Sequence, residues 1–377
     1  MHLIIGGFMS VSIIYSEALT SLGWGEELFD DLVAGKTGLK RANEVFENLP
    51  NPELAGMVGT IDGICGDERV PQILDMAFRT ILPPMAYASD LVVGGCSLGD
   101  LAGSDAGNPR AALVKAMEKV WPSKIPPTTL VSSACSSGTD AIIVASLAIK
   151  SGMADIVTVI GFDSLGAGKL IQHIALGTQS ADRAKPFDST RSGTSFGEAC
   201  GVMILANESG MDKLKSASIG RIASFGMSSD SYDVAAPHPD GIYAANAIRN
   251  AIKGINLQEL GYINAHGSGT NLNDQAEAAA LRLVFGDYLD QAFVGGTKGA
   301  LGHSLGATGI VEAVITLKAM NRRLYPPTTG LLDIDTQLVL PLIRQSQIRS
   351  GSHKFGLTVT FGFGGVNSAL LMEASEC

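Results

Sequence analysis

Apolar residues along the chain fall into two recurring patterns, and the patterns come in the same order twice. In the first half, "TTLVSSA" is a β-rich run, and "SGTDAIIVASLAIKSG" then carries helical spacing closed by Gly152. A second strand, "DIVTVIGFD", follows, and "SFGEACGVMILANES" reads as a glycine turn leading into another strand. The second half repeats the sequence of events. "AFVGGT" is a short strand, "KGALGHSLGATGIVEAVITLKAMNR" opens with glycines and continues as a helix, and "KFGLTVTFGFGGVNSALLMEA" is strand, glycine turn, strand.

Strand–turn–helix followed by strand–turn–strand, occurring twice, predicts duplicated α/β halves. Uninterrupted apolar strands are covered on both faces, so the apolar helix over 138–149 is expected at the centre, between two sheets. The polar stretch "NESGMDKLKSAS" divides the halves into 1–210 and 211–377. Residues 40–70 and 320–355 read as loop-rich excursions. The start, "MHLIIGGFMSVSIIY", lacks a basic flank and reads as a first strand and turn rather than a leader.

Composition narrows the function. With 46% hydrophobic and 17% charged residues in 377, the chain has ample apolar surface for a core. A net charge of −10 leaves no basic excess for phosphates, which argues against nucleic-acid binding. No window approaches the length of an apolar membrane span. Five cysteines (Cys65, Cys96, Cys135, Cys200 and Cys377) form an odd set without CxxC spacing, which points to a reducing, cytoplasmic compartment.

Cys135 stands between small residues, after a strand and before a helix. A sulfur there lies beside unpaired N–H groups and the positive end of the helix dipole, and is expected to be held as thiolate. His266, in "YINAHGSGTNLNDQAEA", and His303, in "GGTKGALGHSLGATG", stand at equivalent junctions, with Lys298 five residues before the second. A thiol, two imidazoles and an amine at such turns suit nucleophilic catalysis with charge stabilisation. A zinc site lacks local ligand spacing. A Cys–His hydrolase leaves the second histidine and Lys298 unexplained, and the glycine runs match no nucleotide-binding motif.

At these residues the chain resembles the β-ketoacyl-acyl-carrier-protein synthases of the elongating, Cys-His-His type, with the thiolase-like fold. The resemblance rests on "SSACSSGTDA", "KPFDSTRSGTSFGEACG", "APHPDG", "NAHGSGTNLNDQAEA", "TKGALGHSLGATGIVEA" and "FGFGGVNSA", in the family's order. It implies a layered α-β-α-β-α architecture with mixed sheets. It further implies an acyltransferase in which Cys135 takes an acyl chain from the phosphopantetheine of an acyl carrier protein, in fatty-acid or specialised polyketide or polyene synthesis. His266 and His303 would stabilise the enolate formed when malonyl-carrier loses its carboxylate. Backbone N–H groups of Cys135 and Phe363 would form an oxyanion hole, with Phe363 also the gate. Lys298 and Glu312 would hold the network around His303, and Ser268 and Thr270 would bind the pantetheine arm. Asp188 and Arg191 would brace the site. No metal or redox cofactor is implied. The partners implied are the carrier protein and a second subunit, identical or related.

Three departures accompany the resemblance. The family's basic docking helix corresponds to "DGICGDERVPQILDMAFRTILPPM", which contains no lysine, so carrier docking is expected at another cluster, such as Lys115, Lys119 and Lys124, or on a partner. Ala199 and Cys200 stand where glycine and alanine are usual, and Ser268 replaces threonine. The alternative function is a chain-length-determining partner subunit with little condensing activity, whose mark would be loss of the cysteine; a thioesterase is the third reading.

Overall fold

Strands buried along their whole length sit between two other layers, and two such strands, over 156–163 and 199–206, lie in the middle of the first sheet. The computed structural model describes residues 10–47, 49, 51–97, 108–344 and 349–375. The opening stretch 1–9 and Cys377 lie outside the described residues, and the reading of a first strand holds from Ser12 onward.

Among the described residues, five main strands make the first sheet, β1 (Ser12–Thr20), β2 (Leu91–Gly95), β3 (Thr128–Val131), β4 (Ile156–Asp163) and β5 (Ala199–Ala206), and the two-residue strand Gly23–Trp24 pairs with β1. Five make the second: β6 (Gly220–Ser229), β7 (Leu260–Asn264), β8 (Phe293–Gly295), β9 (Phe355–Gly362) and β10 (Val366–Ala374). Their spatial orders are β3-β2-β4-β5-β1 and β8-β7-β9-β10-β6, the same topology twice. In each, three strands run parallel and the last two pair antiparallel. The sheets are not separate. Ser12 pairs with Arg221 and Ile13 with Gly220, joining β1 to β6 in one continuous path.

Seven helices supply the other layers. On the outer face of the first sheet lie α1 (Arg69–Thr80) and α2 (Pro109–Val120); between the sheets lies α3 (Ser137–Lys150). α4 (Ala167–Ala175) follows β4, while α5 (Ile242–Ala251) and α6 (Asn271–Phe285) cover the second sheet, and α7 (Thr308–Arg322) is the counterpart of α3. The layering is α-β-α-β-α, the thiolase-like architecture. Among the described residues no helix is long and apolar enough to cross a membrane.

α3 and α7 meet with almost no side chain between them. A Cβ on Gly309 would lie 2.3 Å from the Thr139 nitrogen, and one on Gly138 would lie 2.8 Å from that of Ile310. Gly161 and Gly201, on adjacent buried strands, leave the space that the Ile310 side chain fills. Cys200 is fully buried in the core behind this sheet and has a packing role.

The corresponding docking helix does form, as α1, but Arg69 points inward. It is fully buried and makes a two-point ion pair with Glu198, whose carboxylate also accepts from the Leu165 and Ile61 nitrogens. Lys119 pairs with Asp75 of α1 at 2.8 Å. Lys119 and Lys124 precede β3, at the opposite end of that strand from Cys135. The cluster suggested by the sequence thus lies toward the far end of β3 from Cys135.

Gly309→Ala is expected to destabilise the fold by about 1–3 kcal/mol, because backbone rather than a flexible side chain must move. Denaturant unfolding of the variant checks this. An unchanged midpoint would mean that the helices separate without cost.

Candidate active site

Cys135 lies at a sharp turn between β3 and α3. Ala134 has φ of 52°, the left-handed region that a residue with a Cβ seldom occupies. The small polar neighbours hold that turn: Ser137 donates to the Ala134 carbonyl at 2.6 Å and accepts from the Ser133 nitrogen at 3.0 Å. Asp140, one turn into α3, accepts from Ser133 at 2.6 Å and from Ser368 at 2.5 Å, tying the turn to β10.

The thiol is 8% exposed. The backbone N–H groups of Cys135 and Phe363 face its sulfur and favour the thiolate, and Lys298 adds a favourable charge. Burial outweighs these, with Asp163 acting in the same direction, and pushes the thiol up to about 11. The thiolate expected from the helix N-terminus is therefore not the resting form. Two oriented N–H groups and a cation offset only part of the cost of removing a charge from water.

Phe363 reaches the sulfur because the chain reverses through Gly364 and Gly365, with φ of 80° and 76°. A Cβ on Gly365 would overlap the Asp230 carboxylate, so this turn requires glycine.

His266 follows β7 and His303 precedes α7. Their rings lie 5.2 Å apart at 89°. The turn at His266 is held by Glu277 of α6, which accepts from the His266 nitrogen at 2.6 Å and from Gly267 at 2.8 Å. The Phe361 N–H donates to His266 Nδ1 at 3.4 Å. A backbone N–H can only donate, so the ring proton of neutral His266 sits on Nε2. His303 Nδ1 lies 2.8 Å from Thr308 Oγ1, and its backbone is pinned to Ser195 and Gly197. Burial, and then the Lys298 charge, push both imidazoles well below their usual range, so both are neutral.

Lys298 is 1% exposed, pairs with Glu312 at 2.6 Å, and donates to the His266 carbonyl. Glu312 also accepts from Thr297 at 3.1 Å. Lys298 and Glu312 thus lie behind the histidines, while Cys135, His266, His303, Phe363, Ser268 and Thr270 all line one cavity of about 310 Å³. Ser268 and Thr270 bond each other through their hydroxyls at 2.9 Å. Asp188 and Arg191 do not line it; Asp188 accepts from the Leu332 and Asp333 nitrogens, and Arg191 pairs with Asp335 at 2.7 Å. Among the described residues no group of side chains could hold a metal ion.

Sequence reasoning missed three participants. Glu277 lies inside a quoted motif, but nothing in its spacing revealed that it holds the His266 turn. His173 of α4 and Phe196 also line the cavity. His173 stacks on Phe196 at 3.8 Å, and Phe196 lies parallel to His303 at 5.7 Å. Only the folded packing of α4 brings His173 there.

Comparisons with known proteins identify the family and the fold. The family model described as "Beta-ketoacyl synthase, N-terminal domain" matches residues 126–210, and that described as "Beta-ketoacyl synthase, C-terminal domain" matches residues 219–332; together they cover more than half of the chain. A 3-oxoacyl-[acyl-carrier-protein] synthase 2 of Mycobacterium leprae is 34% identical over 249 residues, covering 63% of this chain and 58% of that relative. The counterpart in Mycobacterium tuberculosis is 33% identical over 248 residues, covering 63% and 59%. The matched stretch thus spans under two thirds of these relatives. Among solved structures, a ketosynthase of Xenorhabdus doucetiae in complex with its chain length factor superposes with a TM-score of 0.81 at 25% identity, covering 99% of this chain and 100% of that one. A β-ketoacyl synthase from Burkholderia phymatum gives 0.82 at 22%, covering 98% and 100%.

Alkylation of Cys135 by iodoacetamide is expected to rise about tenfold per pH unit between pH 7 and 10, because the thiolate fraction grows as pH approaches about 11. Peptide mapping across the pH series measures this. A plateau by pH 8 would restore the thiolate expected from the helix terminus.

Proposed function

The chain belongs to the β-ketoacyl synthase family, and on that premise we propose that it is a condensing acyltransferase acting on carrier-bound acyl chains. Cys135 attacks the thioester of an acyl-carrier protein; the new C–S bond forms as the pantetheine sulfur leaves, and the thiol proton ends on that departing sulfur. The cysteine and Phe363 N–H groups, already directed at the sulfur, hold the oxyanion of this step. Malonyl-carrier then enters. Carbon dioxide departs, the enolate oxygen is held by the imidazoles, and the carbanion attacks the acyl-cysteine. The products are a 3-ketoacyl carrier two carbons longer and a free Cys135.

One observation carries this reading: two neutral, perpendicular imidazoles, one with its proton on Nε2, share a cavity with a thiol that two backbone N–H groups face. Neutral donors stabilise a developing negative charge without adding a second buried cation beside Lys298. Ser268 and Thr270 on the cavity wall suit the amides of a pantetheine arm, and no redox group or metal is needed. A chain-length-shaping subunit remains the second reading; the intact thiol, histidines and Lys298–Glu312 pair stand against it. β3 has a sheet neighbour only on one side, and Val144 and Leu147 of α3 are exposed, which supports pairing with a second, identical or related subunit. Four cysteines without disulfides among the described residues support a cytoplasmic setting.

Intact-mass measurement after incubation with acyl-carriers is expected to show one acyl group, absent in Cys135→Ala. No acylation of the unaltered chain, alone or with a partner, would overturn the enzymatic reading.

His303→Ala is expected to lower malonyl decarboxylation by about 10²–10³-fold, the usual effect of removing one oxyanion donor, while Cys135 still becomes acylated. Equal loss of both steps would assign His303 to the thiol proton instead.

A further inference from the structure

His173 has no part in the chemistry above, yet it occupies the cavity wall beside the reacting atoms. Its ring is stacked on Phe196 at 3.8 Å and lies 5.9 Å from the ring of Phe363, which lines the same cavity as Cys135. A group on His173 is therefore placed to meet the first few carbons of a chain carried on that sulfur.

Its hydrogen bonds determine which nitrogen carries the proton. Thr178 Oγ1 lies 3.2 Å from the His173 carbonyl oxygen and 3.1 Å from His173 Nδ1. The carbonyl can only accept, and takes the Thr178 and Gln179 N–H groups at 3.1 and 3.4 Å as well; both hydroxyl contacts are hydrogen bonds only when Thr178 donates its proton there. Toward the ring, Thr178 is then the acceptor, and Nδ1 carries the ring proton. Burial, with the Lys169 charge adding to it, pushes the imidazole down to about 4, so the ring is neutral and Nε2 is a bare lone pair. No described residue hydrogen-bonds Nε2. This is the opposite tautomer to His266, which offers Nε2–H. Thr194, Ser192 and Asn367 continue a polar lining along the same cavity.

A bare acceptor against a saturated chain loses its hydrogen bond to water and gains none, whereas a chain with a hydroxyl restores it. Resting on the ketosynthase reading, we propose that His173 is a specificity-determining residue whose Nε2 accepts a hydrogen bond from a hydroxyl near the thioester. The site would then favour short hydroxylated acyl groups over saturated ones of equal length.

The test uses the full chain and three pantetheine thioesters: butyryl, 3-hydroxybutyryl and 3-oxobutyryl. Acylation of Cys135 is followed by intact mass, and its kcat/KM compared. The hydroxylated probe is expected to be about tenfold faster than the saturated one, and faster than the 3-oxo probe, which can only accept. His173→Phe, which retains a ring to stack on Phe196, should bring the three rates together. His173→Gln, whose Oε1 replaces the Nε2 lone pair, should keep the preference. Equal rates in the unaltered chain, equal favour for the 3-oxo probe, or a preference untouched in His173→Phe would overturn the assignment. Acylation by none of the three while acyl-carriers still acylate Cys135 would overturn this assignment alone; failure of the acyl-carriers as well, alone and with a partner, would overturn the ketosynthase reading and this one with it.

Discussion

The backbone contact between α3 and α7 is the constraint on which the site depends. Each helix begins at the end of the third strand of its own sheet, so the two strand–helix junctions are brought together only if the helices touch near their first turns. Gly138 and Gly309 permit that approach. With larger residues the helices would separate and Cys135 would draw away from His303, although neither local turn had changed. Duplication has placed a thiol at one junction and an imidazole at its counterpart.

A second constraint is electrostatic. Buried ionisable groups are tolerated when paired and fully hydrogen-bonded. Lys298 is paired with Glu312 and donates to the His266 carbonyl, and Asp163 is held by Lys169, Ser97 and Gly306. Lys298 lies behind the cavity, where its charge favours the cysteine anion and disfavours charging either histidine. The cavity is thereby kept neutral until substrate introduces charge.

Burial is also why the helix-terminus argument for a thiolate fails here. The junction geometry is as expected, with two N–H groups at the sulfur, but a helix end is worth much less than the hydration lost in a nearly closed site. The same N–H groups become useful when a carbonyl oxygen takes up charge beside them.

Much of this protein was legible in its sequence. Strand–helix order repeated along the chain, because the hydrophobic period follows directly from element type, and that repetition yielded the duplicated α/β fold. Cys135, His266, Lys298 and His303 were visible because glycine and serine cluster wherever a turn must leave room for a ligand. Only tertiary structure decided the rest. The inward turn of Arg69, the joining of β1 to β6, and the arrival of His173 at the site all depend on contacts between segments far apart in the chain. Protonation states were also out of reach, since a thiol or imidazole responds to the solvent it loses and the partners it meets, and residue spacing records neither.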